Sequence, residues 1–273
     1  AYAATYGETV LYSSARNEYV IKRMARILTR TVLTLQKQLR RGSFQPDAYE
    51  LSFHFAEELE SVKVSLSPEE KMRLQGRIDR IDVAEDAEHV YVKVIDYKSG
   101  NKQFDLVALY YGLQLQLVVY MNAALELEAK KHPGKQAVPA GMFYYHIEDP
   151  MVDGSGTESE EEKLASVMED KSDIIPVERK KDGSFSARSS ILEAGDLQTV
   201  SEYVSRKIAA IGREILDGKI ALNPYEKGQE TACTWCAYRR VCGFEASMPG
   251  CGKRSLEGMS GQDALEKMRR NGE

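Results

Sequence analysis

The sequence contains little cysteine and no long apolar run. Its 273 residues include four cysteines and 8 prolines, and 42% of them are hydrophobic. This composition excludes the collagen-like, disordered and disulfide-scaffold classes. No segment approaches the roughly 18 consecutive apolar residues of a membrane-spanning helix, and the first residues lack the charged and apolar regions of a signal peptide. We therefore expect a cytoplasmic protein, built as one large domain or two small ones.

The chain also lacks an excess of positive charge, since 37 basic residues face 42 acidic ones and the formal net charge is −5. Mild acidity argues against sequence-independent DNA binding, so any contact with nucleic acid has to come from local charge. A predicted helix over residues 12–41 is locally basic, because its eight basic residues accompany one acid, Glu18. The basic stripe is either a solvated helix face or a surface for phosphates.

No cysteine occurs before residue 233, and all four fall at the end of the chain: Cys233, Cys236, Cys242 and Cys251. In a reducing compartment such a cluster is more typical of a metal site than of disulfides. The alternative is two unrelated buried thiols with chance spacing. We expect a core over residues 1–232, with an acidic surface insertion near 148–170, followed by a cysteine-bearing tail over 233–273 packed on the core.

Two segments, residues 72–83 and 89–98, have the alternation of antiparallel strands joined by an acidic turn. A turn centred near residues 86–87 places Asp79 opposite Val94 and diagonal to Asp96. The valines of the second strand share a face with Asp96 and, at its end, Lys98. Two carboxylates and an ammonium group are therefore expected to meet at one edge of the sheet.

This group of charges has a specific chemical use. Neighbouring carboxylates resist joint ionisation unless a cation lies between them. Mg2+ suits such a site because it takes few protein carboxylates and completes its shell with water and substrate phosphate. The pattern predicts phosphodiester hydrolysis, with Lys98 orienting the water and offsetting charge in the transition state. The alternative is a structural salt bridge between Asp96 and Lys98.

The next apolar segment, residues 103–131, is predicted to form one long helix. Gln116 and Tyr120 are neighbours on its stripe, which also includes Leu109 and Leu113. A buried glutamine and tyrosine need partners, which a site at the strand end would supply. Alternatively, Gln116 reaches a backbone carbonyl and Tyr120 is core. Other predicted elements are a strand over Tyr49–Phe55, a strand over 141–147 and a helix over 196–217.

Three motifs together carry a resemblance: GRIDR at 76–80, IDYKSG at 95–100, and the Q-x-x-x-Y of Gln116 and Tyr120. They resemble the motifs of RecB-like nucleases in the PD-(D/E)XK superfamily. With the cysteine spacing C-x-x-C-x-x-x-x-x-C, the chain most resembles the C-terminal nuclease domain of the B subunit of AddAB-type ATP-dependent helicase–nucleases. The resemblance implies a restriction-endonuclease-like α/β fold, with a mixed central sheet flanked by helices.

The same resemblance implies a set of functional residues. Asp79 and Asp96 are the implied Mg2+ ligands, Lys98 the catalytic lysine, and Gln116 and Tyr120 complete the site. The implied ligands of a 4Fe-4S cluster are Cys233, Cys236 and Cys242. The implied activity is that of a metal-dependent DNA exonuclease digesting the 5′-ended single strand. With a helicase A subunit as its partner, it processes double-strand breaks for recombinational repair.

The chain departs from that pattern in several places. The family's fourth cluster ligand lies upstream of the nuclease motifs, so the chain resembles a fragment of a longer subunit that lacks this ligand. Three alternatives follow: Cys251 substitutes for the missing ligand, the fragment holds no cluster, or it takes up Zn2+ instead. An additional metal ligand upstream of GRIDR is either Glu50 or His54. No Walker-type motif occurs in the chain, so ATP binding belongs elsewhere in the subunit or to the partner. The alternative function is a non-catalytic DNA-binding or scaffold module stabilised by a metal knot.

Overall fold

The computed structural model describes residues 14–53, 59–99, 103–147 and 194–270. The predicted acidic insertion and His54 lie outside the described residues. The chain divides into two compact units built from interleaved segments. The first unit comprises residues 1–51, 78–103 and 128–191, and the second comprises 52–77, 104–127 and 192–273. The boundary predicted at residue 232 therefore falls inside the second unit.

The described residues form α-helices and β-strands, each numbered in chain order. The helices are α1 (Ala15–Arg41), α2 (Leu106–Tyr110), α3 (Gln116–Lys131), α4 (Ala194–Leu216), α5 (Arg239–Cys242) and α6 (Gly261–Arg270). The strands are β1 (Gln45–Ser52), β2 (Lys63–Ser65), β3 (Lys71–Arg73), β4 (Arg77–Glu85), β5 (His89–Lys98), β6 (Gln136–His146), β7 (Tyr225–Lys227), β8 (Glu230–Thr231) and β9 (Arg254–Ser255). No helix in the described ranges is both long and apolar enough to cross a lipid bilayer.

The first unit contains the basic helix and the main sheet. The hydroxyl of Ser14 caps α1 by accepting the Asn17 N–H at 3.2 Å, and Gly42 follows its last turn. The sheet has the strand order β1-β4-β5-β6. Strands β4 and β5 are antiparallel, whereas β5 and β6 are parallel. The sheet is therefore mixed, as the resemblance predicts, and its central strands are the ones that carry the candidate carboxylates.

The predicted strand over residues 72–83 is interrupted at Gly76, which lies between β3 and β4. A Cβ atom on Gly76 would lie 2.3 Å from Cζ of Phe53 and 3.1 Å from Cε1 of Tyr120. The Gly76 carbonyl also accepts the Phe53 N–H at 3.0 Å. Any other residue would displace these rings, so the glycine of GRIDR is required by this close approach. The predicted strand over Tyr49–Phe55 is also displaced, since β1 ends at Ser52.

The predicted helix over residues 103–131 is two helices, α2 and α3. The Asp105 carboxylate caps α2 by accepting the N–H groups of Val107 and Ala108. Gly112 then takes φ +84°, a conformation that suits glycine and ends the helix. The predicted apolar stripe was wrong for Leu109 and Leu113, because both residues precede α3 and therefore do not lie on the same helix as Gln116 and Tyr120.

The second unit is held together by helices α2, α4 and α6. Helix α6 packs on both α2 and α4. The rings of Tyr110 and Tyr203 stack with centroids 5.6 Å apart, and the Tyr203 hydroxyl donates a hydrogen bond to the Tyr110 carbonyl at 2.7 Å. The small sheet β8-β7-β9 carries the cysteine segment. The tail is therefore a folded part of this unit.

Candidate active site

The β4–β5 register sets the distance between the two candidate carboxylates. Ile81 pairs with Val94, and continuing this register by two residues places Asp79 directly opposite Asp96. The prediction that Asp79 lies opposite Val94 was wrong by two residues. A shift of two preserves the face to which each side chain points. The carboxylates are thus direct cross-strand neighbours, a relation in which Cβ atoms lie about 4.5–5.5 Å apart.

The turn between the strands explains the shift. The Asp86 N–H donates to the His89 carbonyl at 3.1 Å. The Asp86 carboxylate accepts the N–H groups of Glu88 and His89 at 2.8 and 2.7 Å. These backbone hydrogen bonds, together with one from the Tyr91 hydroxyl, lower the pKa of Asp86 to about 2. The turn is centred between residues 87 and 88 rather than 86 and 87.

Asp96 is the buried member of the pair. Val90, Val92 and Val94 precede it on the same face and are fully buried, and Asp96 itself is only 2% exposed. Its Oδ2 atom is ion-paired with the Lys98 ammonium and accepts no other hydrogen bond from the described residues. Burying a carboxylate on a valine face carries a large desolvation cost, which this one ion pair offsets in part. The predicted face is confirmed.

Asp79 is half-buried and held from the neighbouring strand. Its Oδ2 atom accepts the backbone N–H of Tyr97 at 2.8 Å. Because Tyr97 adjoins Asp96 in β5, this hydrogen bond fixes the Asp79 carboxylate at the level of Asp96. The pair is therefore preorganised by the sheet itself.

Tyr144 is a member of this cluster that the sequence did not single out. It pairs with Asp96 in the parallel β5–β6 register, and its ring centroid lies 5.7 Å from the Lys98 Nζ atom. Burial, together with the nearby Asp96 charge, raises the pKa of Tyr144 to about 12. Its hydroxyl therefore stays protonated at neutral pH. The sequence GMFYYHI predicted the strand, but only the pairing of β6 with β5 identifies which tyrosine adjoins the site.

The opposite face of the same strands holds a second charged cluster. Arg80 and Asp82 are buried and ion-paired, and the Lys93 ammonium lies 2.8 Å from Oδ2 of Asp82. The Arg80 guanidinium also donates to the Tyr97 hydroxyl at 3.3 Å. GRIDR thus directs Asp79 to one face and Arg80 to the other. Removing one partner from such a buried group lowers the free energy of unfolding by about 3–5 kcal/mol. The cluster therefore contributes to stability.

Gln116 and Tyr120 are brought together, as their spacing predicts. The Gln116 side-chain amide donates to the Tyr120 hydroxyl at 2.8 Å. Tyr120 is buried, and its ring meets Phe53 edge to face at 5.8 Å. Both residues belong to the second unit, whereas Asp79 and Asp96 belong to the first. The role of Gln116 and Tyr120 beside the carboxylates stays a prediction.

The donor set of the hairpin suits Mg2+. The described residues hold no group of three or more histidine, cysteine, aspartate or glutamate side chains that is arranged for a metal ion. Mg2+, however, is usually held by one or two carboxylates, with water and substrate phosphate completing the octahedron. Asp79 and Asp96 meet that requirement in number and type of donor. Of the two candidates for a further ligand, Glu50 lies exposed in β1.

The cysteines lie in the segment of the second unit that follows β8. Cys233 follows β8 and its N–H donates to the Thr231 hydroxyl at 2.9 Å, while Cys236 and Cys242 are exposed and Cys251 is half-buried. All four are free thiols. No three of them are arranged as metal ligands within the described residues. The predicted 4Fe-4S ligand set is therefore not assembled in this structure.

Comparison of the sequence with known proteins identifies similar chains. Three similar proteins are each named as the B subunit of an ATP-dependent helicase/deoxyribonuclease. The identity is 37% over 98% of the chain for the relative from Lachnoclostridium phytofermentans, 34% over 96% for Clostridium tetani and 35% over 86% for Desulforamulus reducens. The chain spans about a quarter of the length of these relatives, 25%, 25% and 22% respectively, and matches their C-terminal part.

The fold agrees with the same assignment. A mixed sheet with flanking helices is consistent with the restriction-endonuclease-like architecture that the resemblance predicts. The match to the family extends from residue 3 to residue 243 and includes the GRIDR and IDYK segments that carry the two carboxylates. On this evidence, the chain belongs to the PD-(D/E)XK nuclease superfamily.

Proposed function

We propose that the chain is a Mg2+-dependent deoxyribonuclease domain that hydrolyses phosphodiester bonds in DNA. The observation that carries the proposal is the cross-strand placement of Asp79 opposite Asp96, with Lys98 ion-paired to Asp96 on the same face. The word deoxyribonuclease in the names of the relatives supports DNA as the substrate.

The roles of the residues follow from their positions. Asp79 and Asp96 would hold Mg2+, which when bound polarises the scissile phosphate and lowers the pKa of the attacking water. The Tyr97 N–H keeps the Asp79 carboxylate oriented before substrate arrives. Lys98 orients the attacking water and offsets the negative charge that develops on the phosphoryl oxygens. The protonated Tyr144 beside them limits access of bulk water to Asp96.

The finer features of the proposal rest on the resemblance and on the relatives' names. The domain acts as an exonuclease on the 5′-ended single strand, and Gln116 and Tyr120 complete its site. It operates in a heterodimer with a helicase A subunit that processes double-strand ends for recombinational repair. Cys233, Cys236 and Cys242 supply three thiolates to a 4Fe-4S cluster, or to Zn2+, and the remaining ligand comes from elsewhere in the subunit.

One observation favours the alternative, a DNA-binding or scaffold module without catalysis. The ion pair of Asp96 and Lys98 is also what a structural salt bridge would form. The two functions differ in what they require of Lys98. A catalytic lysine affects the rate of hydrolysis, whereas a structural one affects only stability.

Cleavage of end-labelled single-stranded DNA in the presence of Mg2+ tests the proposal. Lys98→Ala is expected to lower the rate about 10²- to 10³-fold, the usual cost of removing one preorganised stabilising group. Asp96→Asn should abolish cleavage without unfolding the protein, because it replaces a buried charge with a neutral isostere. Lys135→Ala is the matched control, since this lysine pairs with Glu85 at the other end of the hairpin.

The outcomes separate the two functions. Wild-type and Lys135→Ala proteins should cleave equally, and removing Mg2+ with EDTA should stop both. Equal cleavage by all four proteins would point to a contaminating nuclease. A folded wild-type chain that binds DNA but does not cleave it would favour the binding module.

A further inference from the structure

The most exposed large aromatic side chains of the described residues lie between the cysteines. The chain has one tryptophan, Trp235. Its side chain is 94% exposed, and Tyr238 is 72% exposed. Tryptophan is highly buried in most folded proteins, so such a ring held in solvent indicates an interaction surface. We call residues 233–242 the cysteine loop.

The cysteine loop is ordered by its own backbone. The Cys236 N–H donates to the Cys233 carbonyl at 3.4 Å, and the Arg239 N–H donates to the Cys236 carbonyl at 3.2 Å. The Cys242 N–H then donates to the Tyr238 carbonyl at 2.8 Å. Because these turns fix the backbone, the two rings are presented with less conformational freedom to lose on binding.

The charged residues of the cysteine loop are all positive. Arg239 and Arg240 are exposed, and the sequence from Thr231 to Phe244 contains no aspartate or glutamate. This positive segment stands out in a chain whose net charge is −5. Aromatic faces beside guanidinium groups bind a flexible polyanion with flat bases, namely single-stranded nucleic acid.

We propose that Trp235 and Tyr238, with Arg239 and Arg240, form a stacking platform for single-stranded DNA. The inference rests on the proposed function for its choice of DNA and adds to it a binding surface outside the hydrolytic hairpin. The two rings stack on bases, and the arginines neutralise neighbouring phosphates. An apolar protein partner would depend on Val241, which is 81% exposed in the same loop, whereas stacking does not.

The single tryptophan makes the test direct, because its fluorescence reports only on the cysteine loop. Oligo(dT) is titrated into the Asp96→Asn chain in EDTA, so that no cleavage occurs. The emission of Trp235 should be quenched to saturation, and the affinity should fall as salt is added. Measured by anisotropy of labelled oligo(dT), Trp235→Ala should weaken binding about 5- to 100-fold, and Trp235→Phe should keep most of the affinity.

Val241→Ala is the matched control, and its affinity should equal that of the parent chain. Absence of quenching, or unchanged affinity of Trp235→Ala, would overturn the platform. Loss of affinity in Val241→Ala equal to that in Trp235→Ala would indicate general apolar contact instead of stacking. The nuclease proposal is tested separately, by cleavage in the presence of Mg2+. Cleavage together with binding that does not depend on Trp235 would contradict only the stacking platform. Binding that depends on Trp235, without cleavage, would contradict only the nuclease proposal.

Discussion

Glu50 is the residue at which the backbone of β1 leaves the extended conformation. Its φ is +50°, and it is the only described non-glycine residue with positive φ. Tyr49 and Glu50 are both exposed, so the alternation of β1 slips there. A left-handed conformation costs a residue with a Cβ roughly 1–2 kcal/mol. Such strain is found where the surrounding structure and function maintain it, which favours Glu50 over His54 as the additional metal ligand.

Two substitutions of Glu50 separate strain from ligation. Glu50→Gly removes the Cβ and should raise the free energy of unfolding by up to about 1 kcal/mol, since the relief of strain exceeds the added chain entropy. Glu50→Gln keeps the Cβ and therefore the strain, so it should show no such gain in stability. Both should lose Mg2+-dependent cleavage. Urea unfolding and the cleavage assay measure the two effects, and full activity in both variants would assign the role to another residue.

The residues of the hairpin site were predictable because strand parity is a local property. Alternation along β5 was enough to place Asp96 beyond the valines and to put Lys98 on the same face. Tyr144 and Arg80 were not predictable in this way. Tyr144 joins the site through a pairing with a strand that lies about 40 residues away in sequence, and Arg80 depends on Asp82 and Lys93 meeting across the hairpin.

At the scale of elements, the β4–β5 turn sets the register and therefore the carboxylate pair. Asp86 closes this turn, and its hydrogen bonds lower its pKa from 3.8 to about 2. At a pH between these two pKa values, Asp86 binds fewer protons in the folded chain than in the unfolded chain. The stabilisation from Asp86 is therefore complete above about pH 4 and is lost as the pH falls towards 2.

Asp86→Asn should accordingly lower the free energy of unfolding at pH 7, and the difference from wild type should shrink as the pH falls from 4 to 2. Denaturant unfolding across pH 2–7 provides the measurement. Glu88→Gln is the control, because it removes a carboxylate from the same turn without removing the hydrogen bonds to Asp86. A difference that stays constant with pH would contradict the role of the Asp86 charge.

Element boundaries were less predictable than faces. The apolar periodicity of residues 103–131 runs through Gly112, and only the positive φ of that glycine divides the segment into α2 and α3. Gly76 behaves similarly, because the need for glycine comes from the rings of Phe53 and Tyr120. In both cases the sequence shows a glycine, but it does not show the tertiary contact or the backbone conformation that requires one.

At the scale of the whole molecule, segments distant in sequence form each unit. Residues 52–77 and 104–127 join the cysteine segment in the second unit, while residues 78–103, which contain the candidate carboxylates, belong to the first. The predicted division into a core over 1–232 and a tail over 233–273 follows the order of the sequence and stays a prediction. The spacing of the cysteines likewise predicts three ligands of a metal site, and it leaves the source of any fourth ligand open.

The origin of that fourth ligand is open to a direct test on the chain prepared without oxygen. Iron, acid-labile sulfide and zinc are measured together with visible absorption, in the wild type and in Cys236→Ser and Cys251→Ser. If the fourth ligand lies elsewhere in the subunit, the chain should retain at most a labile cluster, which Cys236→Ser removes and Cys251→Ser leaves unchanged. Equal loss in both variants would make Cys251 the fourth ligand. Zinc without sulfide would identify a structural zinc site, and identical metal content in all three proteins would show that the cysteines bind none of it.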